Sequence, residues 1–250
     1  MDFALTDEQH ALRDAAQDFA TSEFSDKAKQ LEESNIPVSF DDRMRMGEHG
    51  FLGVNVPTEY GGLGLDDLTA VLILEEYAKV SPAIAFPVFE SSFGPAKAIE
   101  RFGTDALKQR ILPHICCGRS IVSIAMSEPG AGSALTDLKT RGEDNGAIIT
   151  LNGEKRWCSG AGHAEGYLVY CRLSDEPGAR GIGAVFVDGD KPGLSFGEQE
   201  QLMGFRGIPS ADIYFDNVEV SKDDLVVSAG GFKLLMEAVS YTHLTLPTKA

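Results

Sequence analysis

At 250 residues the chain can form one or two domains with buried cores, and 43% of it is hydrophobic. It carries 38 acidic and 22 basic residues, a net charge of −16, which argues against nucleic acid and anionic membranes as partners. Its four cysteines form no C-x-x-C pair and no histidine cluster accompanies them, so we predict no metal site. The N-terminus shows no presequence and no apolar stretch could span a bilayer, which predicts a cytoplasmic protein.

Helical patterns fill the first half of the chain. Thr6 and Gln9 form a capping-box pattern, and apolar residues then recur at helical spacing. A second helix is predicted to end at Gly50. Asp66 or Asp67 caps a third, which is apolar almost all round and is therefore expected to be buried. After the first, the predicted helices are 40–49, 68–79, 94–102 and 104–115.

The character of the sequence changes at about Gly118. From there the apolar runs are short and β-branched, and Gly, Asn and Asp separate them, which is typical of strands. Their spacing favours a β-sandwich or barrel. We therefore predict an all-α domain at 1–118 followed by an all-β domain at 119–228. The candidate strands are 121–126, 147–151, 167–172, 183–187, 194–198 and 212–218.

The end of the chain has two distinct patterns. Residues 229–239 begin another helix, in which Phe232, Leu235 and Met236 share one face. Residues 240–250 are rich in Thr and Leu and have no helical period. We predict that they are a non-native tail, which sequencing the source locus past codon 239 would test.

Two motifs could carry chemistry. Residues 125–133 read Ala-Met-Ser-Glu-Pro-Gly-Ala-Gly-Ser, a glycine-rich turn after an apolar run, whose exposed backbone N–H groups could hold negative charge. Residues 151–160 are predicted to form a hairpin-like turn that carries the single tryptophan, Trp157, a flat stacking surface. Each motif alone is more often structural: an ordinary strand-to-loop turn in the first case, a core tryptophan in the second.

Taken together, the chain resembles the acyl-CoA dehydrogenase family. The two motifs above match its flavin cradle, and further segments match in order and spacing over about residues 1–239. The resemblance implies that residues 229–239 begin a C-terminal four-helix domain which is otherwise absent from this chain. The further matching segments are 3–8, 50–53 with 57–64, 102–104 with 112–113, 203–206 and 215–220.

The resemblance implies a site for FAD. The backbone of Met126 and Ser127 and the Ser127 hydroxyl would face the pyrimidine side of the ring, where negative charge develops when the flavin takes a hydride. Trp157 would pack beside the isoalloxazine, and Ser159 would hydrogen-bond near its N5. The implied cofactor residues are Met126, Ser127, Gly132, Ser133, Trp157 and Ser159.

The remainder of the first motif has other implied roles. Gly132 and Ser133 would lie toward the diphosphate and the CoA arm, so Ser133 is also a substrate-binding candidate. Glu128 is interpreted as structural, hydrogen-bonded within the loop, because the base of the family comes from elsewhere. One position departs from the family: Ala134 stands where an acidic residue is usual, and the nearest carboxylate is Asp137.

The implied reaction is FAD-dependent α,β-dehydrogenation of an acyl-CoA to the trans-2-enoyl-CoA, with electron-transferring flavoprotein as acceptor and a homotetrameric parent. Since the catalytic base of the family lies in the C-terminal domain, we assign no catalytic residue here and expect the 250-residue chain itself to be inactive. Two alternatives remain open. One is an acyl-CoA oxidase or flavin-dependent monooxygenase on the same scaffold; the other is a non-catalytic flavin- or CoA-binding module.

Overall fold

The computed structural model describes residues 4–239 as a helical part followed by a mixed β-sheet, which confirms the predicted fold class. The predicted non-native tail, 240–250, lies outside the described residues. None of the described helices combines the length and apolar character that crossing a lipid bilayer requires.

Local capping explains where the helices begin. The Thr6 hydroxyl accepts the N–H of Gln9 at 3.1 Å, and the Gln9 side chain accepts the N–H of Thr6 at 3.0 Å, so the capping box is confirmed. At the third and sixth helices the cap is one-way: the side chains of Asp66 and Thr104 each accept the N–H of the residue three positions on. The helices are α1 (Asp7–Ser34), α2 (Phe40–Glu48), α3 (Asp67–Val80), α4 (Pro82–Ser92), α5 (Gly94–Phe102), α6 (Asp105–Cys116) and α7 (Phe232–Val239).

Two features of the helical part differ from the sequence expectation. Helix α4 was not predicted, because Pro87 inside it reads as a helix breaker; Ser81 caps it and Pro82 fits its first turn. Helix α3 is not buried all round: Leu68 is 46% exposed, whereas Tyr77 is fully buried. The reason is that α3 packs on α1 and α4 and leaves its remaining side open.

The sheet is one continuous structure that folds over on itself. Its strand order is β6-β7-β3-β2-β4-β5-β8, and β1 pairs parallel to β4. Ile149 and Ile213 on one half share a core with Val169 and Val185 on the other, so the two halves face each other. The strands are β1 (Val122–Ala125), β2 (Arg141–Asp144), β3 (Ile148–Ser159), β4 (Gly166–Arg172), β5 (Ile182–Asp188), β6 (Leu194–Phe196), β7 (Ser210–Ser221) and β8 (Leu225–Val227).

The prediction of a hairpin-like turn at 151–160 is wrong. These residues lie almost entirely within β3, which stays paired with β7 and breaks register between Leu151 and Gly153 and again between Lys155 and Cys158. Asn-Gly pairs favour hairpin turns, but here the pair sits at an irregularity in a long strand.

The helical part and the sheet are joined by a shared core and by polar contacts. Leu168 and Tyr170 of β4 pack among residues of α5, α6 and α7. The Arg43 guanidinium of α2 donates two hydrogen bonds, of 2.8 and 3.0 Å, to the Glu165 carboxylate between β3 and β4. These contacts hold α3 and α4 opposite β1 and β3, and a cleft lies between them.

Candidate functional site

The loop that follows β1 is tied down by its own backbone. Glu128 and Ala131 exchange N–H to carbonyl hydrogen bonds of 3.1 and 3.0 Å, which closes a tight turn around Pro129 and Gly130. The N–H of Arg156 donates to the Ser127 carbonyl at 2.8 Å and joins this loop to β3. The two sequence motifs are therefore held side by side.

Glu128 is buried and bound on three sides. Its carboxylate accepts the backbone N–H of Lys139 at 2.6 Å, that of Thr140 at 2.9 Å and the Lys155 ammonium at 2.8 Å. Burial alone would raise the pKa of Glu128, but the Lys155 charge and these hydrogen bonds outweigh it, so the pKa lies below the usual carboxyl value. This geometry gives Glu128 the structural role expected from the sequence.

Trp157 projects into solvent because β3 is irregular at this point. Its φ of 55° is left-handed, in the stretch where β3 and β7 change register, and its side chain is 59% exposed. The Arg156 guanidinium lies 5.0 Å from the centre of the indole ring. The indole is therefore largely exposed, with the Arg156 cation over its ring.

Four of the six predicted site residues line the cleft between the helices and the sheet. They are Met126, Ser127, Trp157 and Ser159. The cavity volume is about 530 Å³, which is within the ordinary range for small-molecule and cofactor sites. Its opposite wall is apolar and comes from α3 and α4: Leu74, Ala78, Pro82, Ala85, Phe86 and Phe89.

The other two predicted site residues lie outside this cleft. Gly132 and Ser133 are exposed on the loop, and a Cβ added at Gly132 would meet no atom within 4 Å. Ala134, which replaces the usual acidic residue, is also exposed and precedes a 3₁₀ turn. A second cavity, of about 580 Å³, lies near this loop and is lined by Glu128, Pro129 and Asp137 among others.

The structure adds cleft residues that sequence reasoning missed. Glu90 of α4, Phe205 and Arg156 line the cavity with the predicted set. Glu90 was missed together with its helix. The signal was present in the sequence, since Glu90 directly follows an apolar run from Ala83 to Phe89. Within residues 4–239, no group of three or more His, Cys, Asp or Glu could hold a metal ion.

The cleft residues fit a flavin ring. Neither the backbone N–H nor the hydroxyl of Ser127 donates to another described residue, so both are available to ring oxygen and nitrogen atoms. Trp157 offers an uncovered aromatic face of the kind on which a planar ring packs. Donors and stacking surface thus meet in one cavity.

Two family models match most of the chain. The model of the acyl-CoA dehydrogenase N-terminal domain matches residues 6–119, and that of the middle domain of the same family matches residues 123–218. The chain belongs to the acyl-CoA dehydrogenase family.

Individual relatives show the same likeness. The chain is 30% identical to the probable acyl-CoA dehydrogenase FadE25 of Mycobacterium tuberculosis, over 99% of this chain and 64% of the relative. It is 32% identical to a 3-sulfinopropanoyl-CoA desulfinase of Advenella mimigardefordensis, over 92% of this chain and 58% of the relative. The solved structure of a glutaryl-coenzyme A dehydrogenase in complex with glutaryl-CoA superposes with a TM-score of 0.89 at 29% identity. The match covers 94% of this chain and 60% of the dehydrogenase chain. The chain therefore spans about 58 to 64% of these relatives' lengths.

Proposed function

We propose that the cleft binds FAD and an acyl-CoA thioester, and that the chain is part of an enzyme that dehydrogenates the acyl group between its α and β carbons. The observation that carries the proposal is the meeting of the Trp157 face and the free Ser127 donors in one cavity with an apolar opposite wall. Bound FAD would supply the hydride acceptor. A cytoplasmic location stays a prediction.

The residues divide between ring and thioester. The Met126 and Ser127 backbone and the Ser127 hydroxyl would hold the pyrimidine edge of the flavin, Trp157 would pack on the ring and Ser159 would bond near N5. In this proposal Gly132 and Ser133 serve the diphosphate and the CoA arm, in line with their exposure beside open space.

The apolar wall would hold the acyl chain. The residues of α3 and α4 that line the cleft offer only aliphatic and aromatic surface apart from Glu90, and burying an acyl chain there removes its apolar surface from water. Two relatives are named for acyl-CoA thioesters with acidic ends, 3-sulfinopropanoyl-CoA and glutaryl-CoA. Both names support a thioester of CoA as the substrate class.

No general base is assigned within the described cleft. Glu128 is engaged by Lys155 and two backbone N–H groups, and burial raises the pKa of Glu90 and so favours its protonated form. We infer that the α-proton leaves to a group outside the described cleft, and that the 250-residue chain alone turns over acyl-CoA very slowly. Electron-transferring flavoprotein as acceptor and a homotetrameric parent belong to this proposal.

FAD binding by the purified chain tests the proposal. Ser127→Ala removes the hydroxyl donor and should weaken FAD binding about threefold to tenfold, measured by flavin absorbance after equilibrium dialysis. The matched control is Ser195→Ala, an exposed serine on β6 outside the cleft. Equal FAD affinity in the wild type and Ser127→Ala would contradict the assignment of Ser127. Addition of butyryl-CoA should perturb the flavin spectrum of the loaded chain.

A further inference from the structure

Glu90 is a buried acid in the wall of the candidate site. It lies on α4, is 5% exposed, and lines the cleft together with Phe86, Phe89 and Ile124. The other cleft residues of α3 and α4 are apolar, so Glu90 is the single polar side chain of that wall. A buried carboxyl of this kind is costly to keep unless something compensates for it.

For one of its two carboxyl oxygens, the part of the chain that the structure describes offers no such compensation. The Oε2 atom of Glu90 has no hydrogen-bond partner among the described residues. The charge of Glu90 contributes to the raised pKa of Cys158, but the Cys158 thiol donates to the Ile124 carbonyl at 2.9 Å rather than to Glu90. Glu128 differs sharply, because its carboxylate has three donors: two backbone N–H groups and the Lys155 ammonium.

The chemical state of Glu90 follows from this isolation. Burial raises the pKa of Glu90 well above the usual carboxyl value, because desolvation disfavours the ionised form. Burial therefore favours the protonated form, a carboxylic acid, which has one O–H donor and a carbonyl acceptor. A protonated acid is a poor proton acceptor but a good hydrogen-bond partner for a neutral oxygen.

We propose that Glu90 is a specificity-determining residue whose carboxyl hydrogen-bonds an oxygen-bearing substituent on the acyl chain, so that the site prefers hydroxy- or oxo-acyl-CoA thioesters to plain alkyl ones. This inference rests on the proposed acyl-CoA function of the cleft. It gives the unpartnered carboxyl a partner that is present only when substrate is bound. The unmet hydrogen-bonding capacity of a buried polar group is what penalises a substrate that lacks the matching group.

A wholly apolar wall would serve a plain alkyl chain better. A leucine at position 90 would continue the surface made by Phe86 and Phe89 and would carry no desolvation cost. For a hydroxylated chain the order reverses, since an apolar wall would strand the substrate hydroxyl without a partner. The polar carboxyl in this position therefore discriminates between the two kinds of acyl group.

Calorimetric titration of the FAD-loaded chain tests the inference without relying on turnover. The probes are butyryl-CoA, 3-hydroxybutyryl-CoA and 4-hydroxybutyryl-CoA. We expect the wild type to bind one of the hydroxylated thioesters about threefold to tenfold more tightly than butyryl-CoA. Glu90→Leu should abolish or reverse that ratio, and Glu90→Gln should keep part of it because an amide also donates and accepts.

A second buried acid provides the matched control. Glu76 of α3 is 3% exposed but lies outside the cleft and is bound by Lys79 at 2.8 Å, so Glu76→Gln should leave the ratio unchanged. Difference infrared spectroscopy adds an independent readout: the carbonyl stretch of a protonated carboxyl should be present in the wild type and lost in Glu90→Gln. An ionised Glu90 would overturn the inference.

The outcomes separate the inference from the function on which it rests. If all three thioesters bind with equal affinity, or Glu90→Leu keeps the wild-type ratio, the role of Glu90 is refuted and the acyl-CoA site stands. If FAD binds but no thioester does, the acyl-CoA function fails and the inference fails with it.

Discussion

Two buried glutamates near β1, Glu128 and Glu90, have opposite hydrogen-bonding environments. Glu128 is met by the Lys155 ammonium and two backbone N–H groups, whereas Glu90 has an Oε2 atom that no described residue contacts as a donor. Glu128 is 6% exposed and Glu90 is 5% exposed, so burial does not distinguish them. The neighbours do.

This difference indicates two roles: a structural role for Glu128 and a recognition role for Glu90. Glu128 fixes the loop against β3 and places Ser127 beside Trp157, which is a structural task that requires full satisfaction of the carboxylate. Glu90 lines the cavity and keeps an unpartnered carboxyl oxygen, which suits recognition of a bound molecule. The predictions below change one side of this comparison at a time.

The largest effect is expected at Lys155. Lys155→Met leaves the Glu128 carboxylate buried without its cation and should lower the free energy of unfolding by about 3–5 kcal/mol, measured by urea denaturation. The double variant Glu128→Gln/Lys155→Met should recover much of this loss, because it removes both charges. A loss in the free energy of unfolding below about 1 kcal/mol for the single variant would contradict a stabilising role for the Glu128–Lys155 pair.

An intermediate effect is expected at the Arg43–Glu165 pair. The Arg43 side chain is 8% exposed and that of Glu165 is 38% exposed, and Glu165 also accepts the N–H of Ile121 at 2.7 Å. Arg43→Met should cost about 1–2 kcal/mol, since the stranded carboxylate keeps some water and one backbone donor. Urea denaturation measures the cost, and a value as large as that of Lys155→Met would break the ranking.

The two glutamates should also respond to pH with opposite signs. The low pKa of Glu128 adds stability that is lost as pH falls below the ordinary carboxyl value. The high pKa of Glu90 does the reverse: above about pH 4.3 the unfolded form ionises while the folded form stays protonated, so stability is lost as pH rises.

Glu90→Gln isolates the second of these terms. The free energy of unfolding of this variant, relative to the wild type, should increase with pH by up to about 1.4 kcal/mol per pH unit. Urea denaturation at pH 5, 6 and 7 measures the slope. A difference that does not vary with pH would mean that Glu90 is ionised in the folded protein.

The smallest effect is expected at an exposed pair. Lys29 and Glu33 lie 3.8 Å apart on α1, with side chains 81% and 68% exposed. Glu33→Gln should change the free energy of unfolding by less than about 0.5 kcal/mol, since solvent screens such pairs. A loss in the free energy of unfolding comparable with that of Arg43→Met would show that burial does not determine how much these ion pairs stabilise the fold.

Features set by a few neighbouring residues were predictable from the sequence. The capping box of Thr6 and Gln9 and the caps at Asp66 and Thr104 act over three residues, so the helices that they begin were placed closely. The structural role of Glu128 was anticipated from the resemblance, but its lysine partner was not. Lys155 lies 27 residues away and is brought to Glu128 only by sheet pairing.

Features set by distant packing were missed or misread. Helix α4 persists despite Pro87, and β3 runs through an Asn-Gly pair because β7 stays paired with it. The isolation of Glu90 depends on what α4 packs against, which no local pattern contains. The sequence therefore pointed to the side of the cleft that β1 and β3 form and not to the wall that α3 and α4 form.

The central claim, that FAD occupies this cleft, can be tested through Trp157, the single tryptophan of the chain. Its emission is measured while FAD is titrated into the purified chain. The account predicts saturable quenching at one FAD per chain, because the flavin would pack on the exposed indole. FAD that fails to bind, or that binds and leaves the Trp157 emission unchanged, would contradict it.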